Sequence, residues 1–241
     1  MKRVCLYLTV AAILGLAGVP SWARDCAPIP GGIVSWWPGE GDATDIIDDN
    51  SGDVVGNVAF DVGMVRQAFR FKGSDQGVRV GNPANLQLQS FTIEGWIKRA
   101  SPKQATLDPV EGPGGVLFAY GEGGYGFGLF DEGTLFLTQI GTSFTASDQS
   151  VTDLDFHHVA VTESDGAVVF YVDGVSSTAP AYDPGFTFDT PATIGARGDR
   201  DMVRNTFFGI IDEISIYNRA LDPEEIQAIF SAGSAGKCLP Q

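Results

Sequence analysis

The chain has 241 residues, with 30 acidic side chains against 15 basic ones and a formal net charge of −15. A surface this acidic repels nucleic acid and anionic membranes, which removes both as partners, and it favours solubility. The length suits one all-β domain rather than two.

The first residues read as a targeting segment. Lys2 and Arg3 precede an apolar run from Val4 to Val19, and Ser21-Trp22-Ala23 has the small-x-small pattern of a cleavage site. This predicts a secretory signal peptide over residues 1–23 and an exported chain of 24–241, extracellular or periplasmic. Asp25 ahead of Cys26 speaks against lipid attachment, and no later stretch is long and apolar enough to insert in a bilayer. Cleavage leaves 13 basic residues against 30 acidic ones, a net charge of −17. It also removes Cys5, leaving Cys26 and Cys238 at the two ends of the exported chain. In an oxidising compartment these are expected to pair, the alternative being two unpaired buried thiols. Closing so long a loop would stabilise the fold by about 4–5 kcal/mol on the chain-entropy view.

Taken in order, a Pro/Gly-rich lead-in ends at Gly32 and Ile33 to Trp37 forms the first predicted strand. An acidic loop from Pro38 to Asp53 follows, then short strands near Val54–Phe60, Met64–Phe71 and Gln76–Val80. Phe91 to Lys98 alternates, with Phe91, Ile93 and Ile97 on one face and Thr92, Glu94 and Lys98 on the other. Ser101 to Gly115 is punctuated by proline and glycine and reads as a long loop. Three strands follow: Val116–Tyr120, Tyr125–Phe130 and Thr134–Ile140.

The clearest unit is DFHHVAVTESDGAVVFYVDGV, Asp155 to Val175. Its first half alternates with period two. Asp165-Gly166 is the dipeptide favoured in a two-residue hairpin turn, and Val168 to Val172 is apolar on both faces. Ser176–Pro191 and Ala196–Asn205 read as loops around a short strand at Thr193–Gly195, and Phe207 to Tyr217 as a long final strand. Asp222 followed by Pro223 and Glu225 gives a capping box. The helix it starts carries Ile226, Ile229 and Phe230 on one face and stops at Gly233. Many short strands, Gly-rich turns and one short C-terminal helix predict a two-sheet antiparallel β-sandwich.

Four segments in order resemble LamG-like jelly-roll domains of the concanavalin A-like lectin/glucanase superfamily: SWWPGEGDATD (Ser35–Asp45), FTIEGWIK (Phe91–Lys98), the HHVAV…FYVDG hairpin, and GIIDEISIYNRALDPEEI (Gly209–Ile226). Phe156 stands where that family usually has Trp. The resemblance implies a jelly roll and a structural Ca²⁺ held by Asp45 and Asp212. Gly41 would supply a carbonyl, and Glu40 stands where the family has Asp or Asn. Hard cations want several such oxygens.

Nothing points to catalysis. Glucanases of this fold carry their acids in an E-x-D-x-E pattern that is absent here, and Asp212-Glu213, adjacent on a regular strand, would face opposite ways. His157 and His158 are likewise neighbours and cannot chelate one ion. Arg197-Gly198-Asp199 spells an adhesion tripeptide, which chance also produces. Among the aromatics near turns (Trp36, Trp37, Tyr120, Tyr125, Tyr182, Phe186), Trp37 and Tyr182 are the expected sugar-stacking platforms. The reading is a monomeric, non-catalytic binding module for carbohydrate or an extracellular protein. Its alternatives are a glycoside hydrolase of the same fold and a structural or adhesion component of the cell envelope.

Overall fold

The computed structural model describes residues 26–108, 114–199 and 202–240, so the expected signal peptide lies outside the described residues. In chain order the first strands are β1 (Ile33–Trp37), β2 (Asp53–Val55), β3 (Ala59–Val62), β4 (Gln67–Lys72), β5 (Gly77–Gly81) and β6 (Phe91–Arg99). Next come β7 (Gly114–Ala119), β8 (Tyr125–Phe130), β9 (Thr134–Gln139), β10 (Ser143–Ser150), β11 (Phe156–Ser164) and β12 (Ala167–Val172). The last are β13 (Val175–Thr178), β14 (Ala192–Ile194), β15 (Arg197–Asp199), β16 (Met202–Arg204) and β17 (Phe208–Tyr217), followed by helix α1 (Pro223–Ala232).

These strands build two large antiparallel sheets and a small hairpin, β15–β16. The first sheet runs β13-β12-β11-β6-β17-β4-β3 with β1 also on β17, and the second runs β10-β9-β8-β7-β14-β5-β2. Their inner faces meet in an aromatic core. Trp37 stacks on Phe118 at 5.8 Å between ring centroids, and Phe91 lies 4.6 Å from Tyr125. The Tyr125 hydroxyl, buried with its ring, donates to the Leu86 carbonyl at 2.7 Å.

The hairpin at the centre of the sequence forms as its residues require. Asp165 and Gly166 both have positive φ, 51° and 82°, the geometry that matches the twist of the flanking strands. A clamp holds the other end. His157 lies 2.7 Å from Asp173 through Nδ1 and 2.9 Å from Asp153 through Nε2, and both contacts are donations only when the ring is cationic. The Asp173 bond, with Asp153 behind it, outweighs partial burial and lifts the His157 pKa to about 9.

Helix α1 packs on the outer face of the first sheet. The Asp222 side chain accepts from the Glu225 N–H at 3.0 Å, and the Glu225 carboxylate accepts from the Asp222 N–H at 3.0 Å. Ile226 and Ile229 bury against Ala160, Tyr171, Tyr217 and Leu221, and Phe230 meets Trp96 at 5.8 Å.

Four strands fall where the sequence reads as loop or carries no strand signal. SFTASDQS in β10 has no apolar alternation because it is an outermost strand with one neighbour, β9. β13 is likewise an edge strand, and β15–β16 is a two-stranded flap off both sheets.

The two ends of the chain meet. Cys26 and Cys238 are disulfide-bonded, 212 residues apart, and the Ala27 and Cys238 N–H groups donate to the Gly236 and Ala27 carbonyls, each at 2.8 Å.

Two outcomes follow. Cys238→Ser should lower the melting temperature by at least about 10 °C, as expected for losing about 4–5 kcal/mol in a domain of this size; an unchanged melt would show that the disulfide contributes nothing. For His157, the folded pKa lies above the unfolded 6.5, so its stabilisation is full below that value and fades as pH rises through about 9. His157→Gln should therefore cost roughly 3–6 °C at pH 6 and almost nothing at pH 10. Equal losses at both would refute the charged clamp.

Candidate functional site

Strand β17 carries both the site and its one irregularity. Along one edge it pairs first with β4, through Phe208–Ile211, and then with β1, through Ile214–Tyr217. The register on β6, its other neighbour, slips between Asp212 and Ser215. Glu213 sits at that bulge with φ of 58°, a left-handed conformation that costs a non-glycine residue about 1–2 kcal/mol. Strict alternation would have turned Glu213 and Ser215 into the core. The extra residue restores the phase, so Ile211, Ile214 and Ile216 all face inward.

The Asp212 carboxyl is fully buried in the gap between the two partners, where Oδ2 accepts the Val65 N–H at 2.9 Å. Burial dominates its chemistry and lifts its pKa to about 8 despite that bond. Beside it lies a sealed charge network on the outer face of the sheet. Lys237, from the C-terminal segment, reaches Glu94 Oε1 at 3.0 Å and lies 3.6 Å from Glu213 Oε2. His158 Nε2 meets the other Glu94 oxygen at 2.9 Å. Burial opposes the charge on Glu94, but Lys237 and His158 outweigh it and hold the group at about 2. Glu213 goes the other way, pushed up first by burial and further by Glu94 and Glu40, although Lys237 pulls against them.

A cleft of about 410 Å³ opens over this network. The acidic loop supplies Glu40, Asp42 and Thr44, the β3–β4 turn supplies Arg66, and the C-terminal segment supplies Lys237 and Leu239. Glu213 and Trp36 also line it. The Lys237 ammonium sits 4.7 Å from the Trp36 ring centroid. Among the described residues neither Glu213 Oε2 nor Trp36 Nε1 has a hydrogen-bond partner, although both atoms are buried. The cleft thus has a carboxylate-lined mouth above one buried acceptor and one buried donor that lack hydrogen-bond partners.

The family model described as the concanavalin A-like lectin/glucanases superfamily matches residues 72–227. The chain belongs to that superfamily. No curated protein matches it. Among solved structures it is similar to domain 4 of an extracellular arabinanase from Geobacillus stearothermophilus, in complex with arabinotriose. The identity is 18%, covering 84% of this chain and 98% of that one, with a TM-score of 0.64. The binding domain of botulinum neurotoxin DC, in complex with SialylT, is 18% identical over 84% of this chain and 52% of its own, with a TM-score of 0.61. Trypanosoma rangeli sialidase is 18% identical over 86% of this chain, with a TM-score of 0.56. The chain spans about half of the neurotoxin domain and, at 35%, about a third of the sialidase. At these identities the likeness is one of fold.

Of the superfamily's calcium set carried onto this chain, Asp45 and Asp212 each give one oxygen to backbone donors and keep the other, Asp45 Oδ2 and Asp212 Oδ1, buried with no hydrogen-bond partner among the described residues. Asp45 Oδ1 accepts the Trp36 and Ile47 N–H groups at 2.9 and 3.0 Å, tying the acidic loop to β1. Asp212 serves Val65, Glu40 lies at the mouth of the cleft, and the exposed Gly41 donates its own N–H to Gly39. Among the described residues no three Asp, Glu, His or Cys side chains gather as a metal would need.

Of the two expected stacking platforms, Trp37 is corrected and Tyr182 is half-buried. Trp37 is completely buried, its ring on Phe118 and its Nε1–H donated to the Asn50 carbonyl at 2.8 Å. Tyr182 packs against the core, and its hydroxyl accepts the Gln139 N–H at 2.7 Å and bonds Ser143, so it braces the β9–β10 turn. Arg197 closes on Asp199 through Nε and Nη2, at 3.0 and 2.7 Å, so the adhesion tripeptide pairs its own charges. Sequence reasoning missed Lys237 altogether, preferred Trp37 to Trp36 and set Glu213 aside as half of an opposed pair.

With no three Asp, Glu, His or Cys side chains gathered among the described residues, adding chelator should move the melting temperature by no more than about 1 °C. A fall of about 5 °C or more, reversed by calcium, would restore the ion.

Proposed function

We propose that the protein is an exported, monomeric, non-catalytic module that binds carbohydrate in the cleft between its acidic loop and its C-terminal segment. The observation that carries this reading is Glu213 Oε2, buried beneath the cleft with no hydrogen-bond partner among the described residues and only the Lys237 ammonium, 3.6 Å away, to meet its charge, below a mouth containing Glu40 and Asp42. Sugar hydroxyls donate well to carboxylates, and a concave site of this volume suits a small saccharide better than the surface of an extracellular protein. The arabinanase domain and the neurotoxin domain, each solved with the ligand named above, support the same reading by analogy of fold. So does the signal-peptide pattern of residues 1–23. Glu94 argues against catalysis at this point, because a carboxyl held at about 2 and fully buried cannot donate a proton at neutral pH.

One observation favours a second reading, a glycoside hydrolase. Glu213 has a raised pKa, as a general acid requires, and faces a cleft shared with the carboxylate of Glu40.

Residues 24–241 should bind one or more neutral or sialylated oligosaccharides in calorimetric titration across a glycan panel. Glu213→Gln and Glu40→Ala should each weaken that binding roughly 10- to 100-fold, the worth of a hydrogen bond to a charged group, with circular dichroism unchanged. Absence of binding by the folded protein would refute the module. Release of reducing ends that Glu213→Gln abolishes would replace it with the hydrolase.

A further inference from the structure

The outer face of the first sheet is covered over only part of its width. Beyond α1 and the C-terminal segment lies a groove of about 450 Å³, lined by Arg70, Lys72, Lys98, Phe156, Phe208 and Ile210. The register sets its geometry. Arg70 pairs with Ile210, Ile210 with Lys98, and Lys98 with Phe156, giving one row across four strands. At about 4.8 Å per strand the Arg70 and Lys98 backbones lie about 10 Å apart, and Lys72 follows about 7 Å further along β4 on the same face.

Three cations reach solvent there against one carboxylate, with Arg99 buried behind them on the Val151 and Asp131 carbonyls, in a chain whose acids outnumber its bases two to one. That carboxylate, Asp61, lies 3.6 Å from Arg70, and with both side chains largely exposed (44% and 62%) the pair is weak. Among the described residues Lys72 and Lys98 form no ion pair. Lys98 instead sits 5.3 Å over the Phe156 ring. A merely solvated face would draw on the abundant acids as well. Nor is Lys98 an edge-strand gatekeeper, since β6 has neighbours on both sides.

We propose that this groove is a second ligand site, selective for an acidic saccharide whose carboxylate or sulfate groups meet the three cations. A flat anionic bilayer would not enter a concave groove, and the chain's negative charge would repel it. The spaced cations on an apolar floor fit a chain carrying repeated charges along an amphipathic backbone.

The experiment uses residues 24–241 and measures binding of oligogalacturonate and dextran sulfate, with neutral dextran, poly-glutamate and phosphatidylserine-containing vesicles as comparisons. Binding of oligogalacturonate, dextran sulfate or both is expected, weakening several-fold between 50 and 200 mM salt, and whichever binds identifies the anionic group. The Lys72→Glu/Lys98→Glu double variant should lose at least 10-fold, and Arg70→Gln should lose less. Glu213→Gln should leave this binding unchanged, which separates this site from the cleft. Equal affinity in the double variant, or no acidic-saccharide binding by folded protein, would overturn the proposal. So would tighter binding to poly-glutamate or to vesicles, which would make the partner an acidic protein or a membrane.

Discussion

The architecture around the cleft depends on one buried ion pair, Lys237 with Glu94. Glu94 is fully buried, and an uncompensated carboxylate there would cost several kcal/mol. Its alternation on β6 sends it to the outer face, where only an element laid over the sheet can partner it. The C-terminal segment does so, one residue before the disulfide that fastens it to the start of the chain. Such a pair adds little to stability over an apolar substitute, whereas removing one partner typically costs about 3–5 kcal/mol. Its consequence is positional. With Lys237 fixed, the segment is held over Glu213 and Trp36, and the cleft acquires a floor and a wall.

The bulge in β17 answers a conflict within IIDEISIY. A strand with period two cannot bury Ile211, Ile214 and Ile216 on one face, because the second of these is out of phase with the first. Inserting one residue resolves the phase, and that residue is Glu213, in the left-handed region. The slip occurs where β17 exchanges β4 for β1 as partner, so the backbone hydrogen bonds already pause there. A packing requirement of the core thereby produces the strained carboxylate that lies in the cleft.

Much of the fold is legible in the sequence because it is written in local chemistry. The Asp165-Gly166 turn, the alternation of β6 and β11 and the capping box of α1 each depend on residues within a few positions of one another. The site is legible only in part. Adjacent Trp36 and Trp37 must point opposite ways, but nothing local says that the second enters the core and the first lines a cleft. Glu94 reads as a solvent-facing residue because periodicity separates two faces without saying that a tail 143 residues away covers one of them. Asp212-Glu213 reads as an opposed pair because a bulge leaves no mark in composition. Edge strands such as SFTASDQS are silent for a related reason, having no second neighbour to demand apolar alternation.

The same covering argument explains why a single sheet can present two chemically opposite surfaces. A helix of ten residues is about 15 Å long and 10 Å across, enough to shield roughly two strands. The sheet it covers has eight. On the part of the face that the helix and the C-terminal segment leave open, the charged side chains fall in cross-strand rows beside half-buried apolar ones. Those rows are rigid, because the ladder fixes their spacing and the packed core fixes their height. Side chains placed on them hold their mutual distances without further support, which is what recognition of a regularly repeating ligand requires.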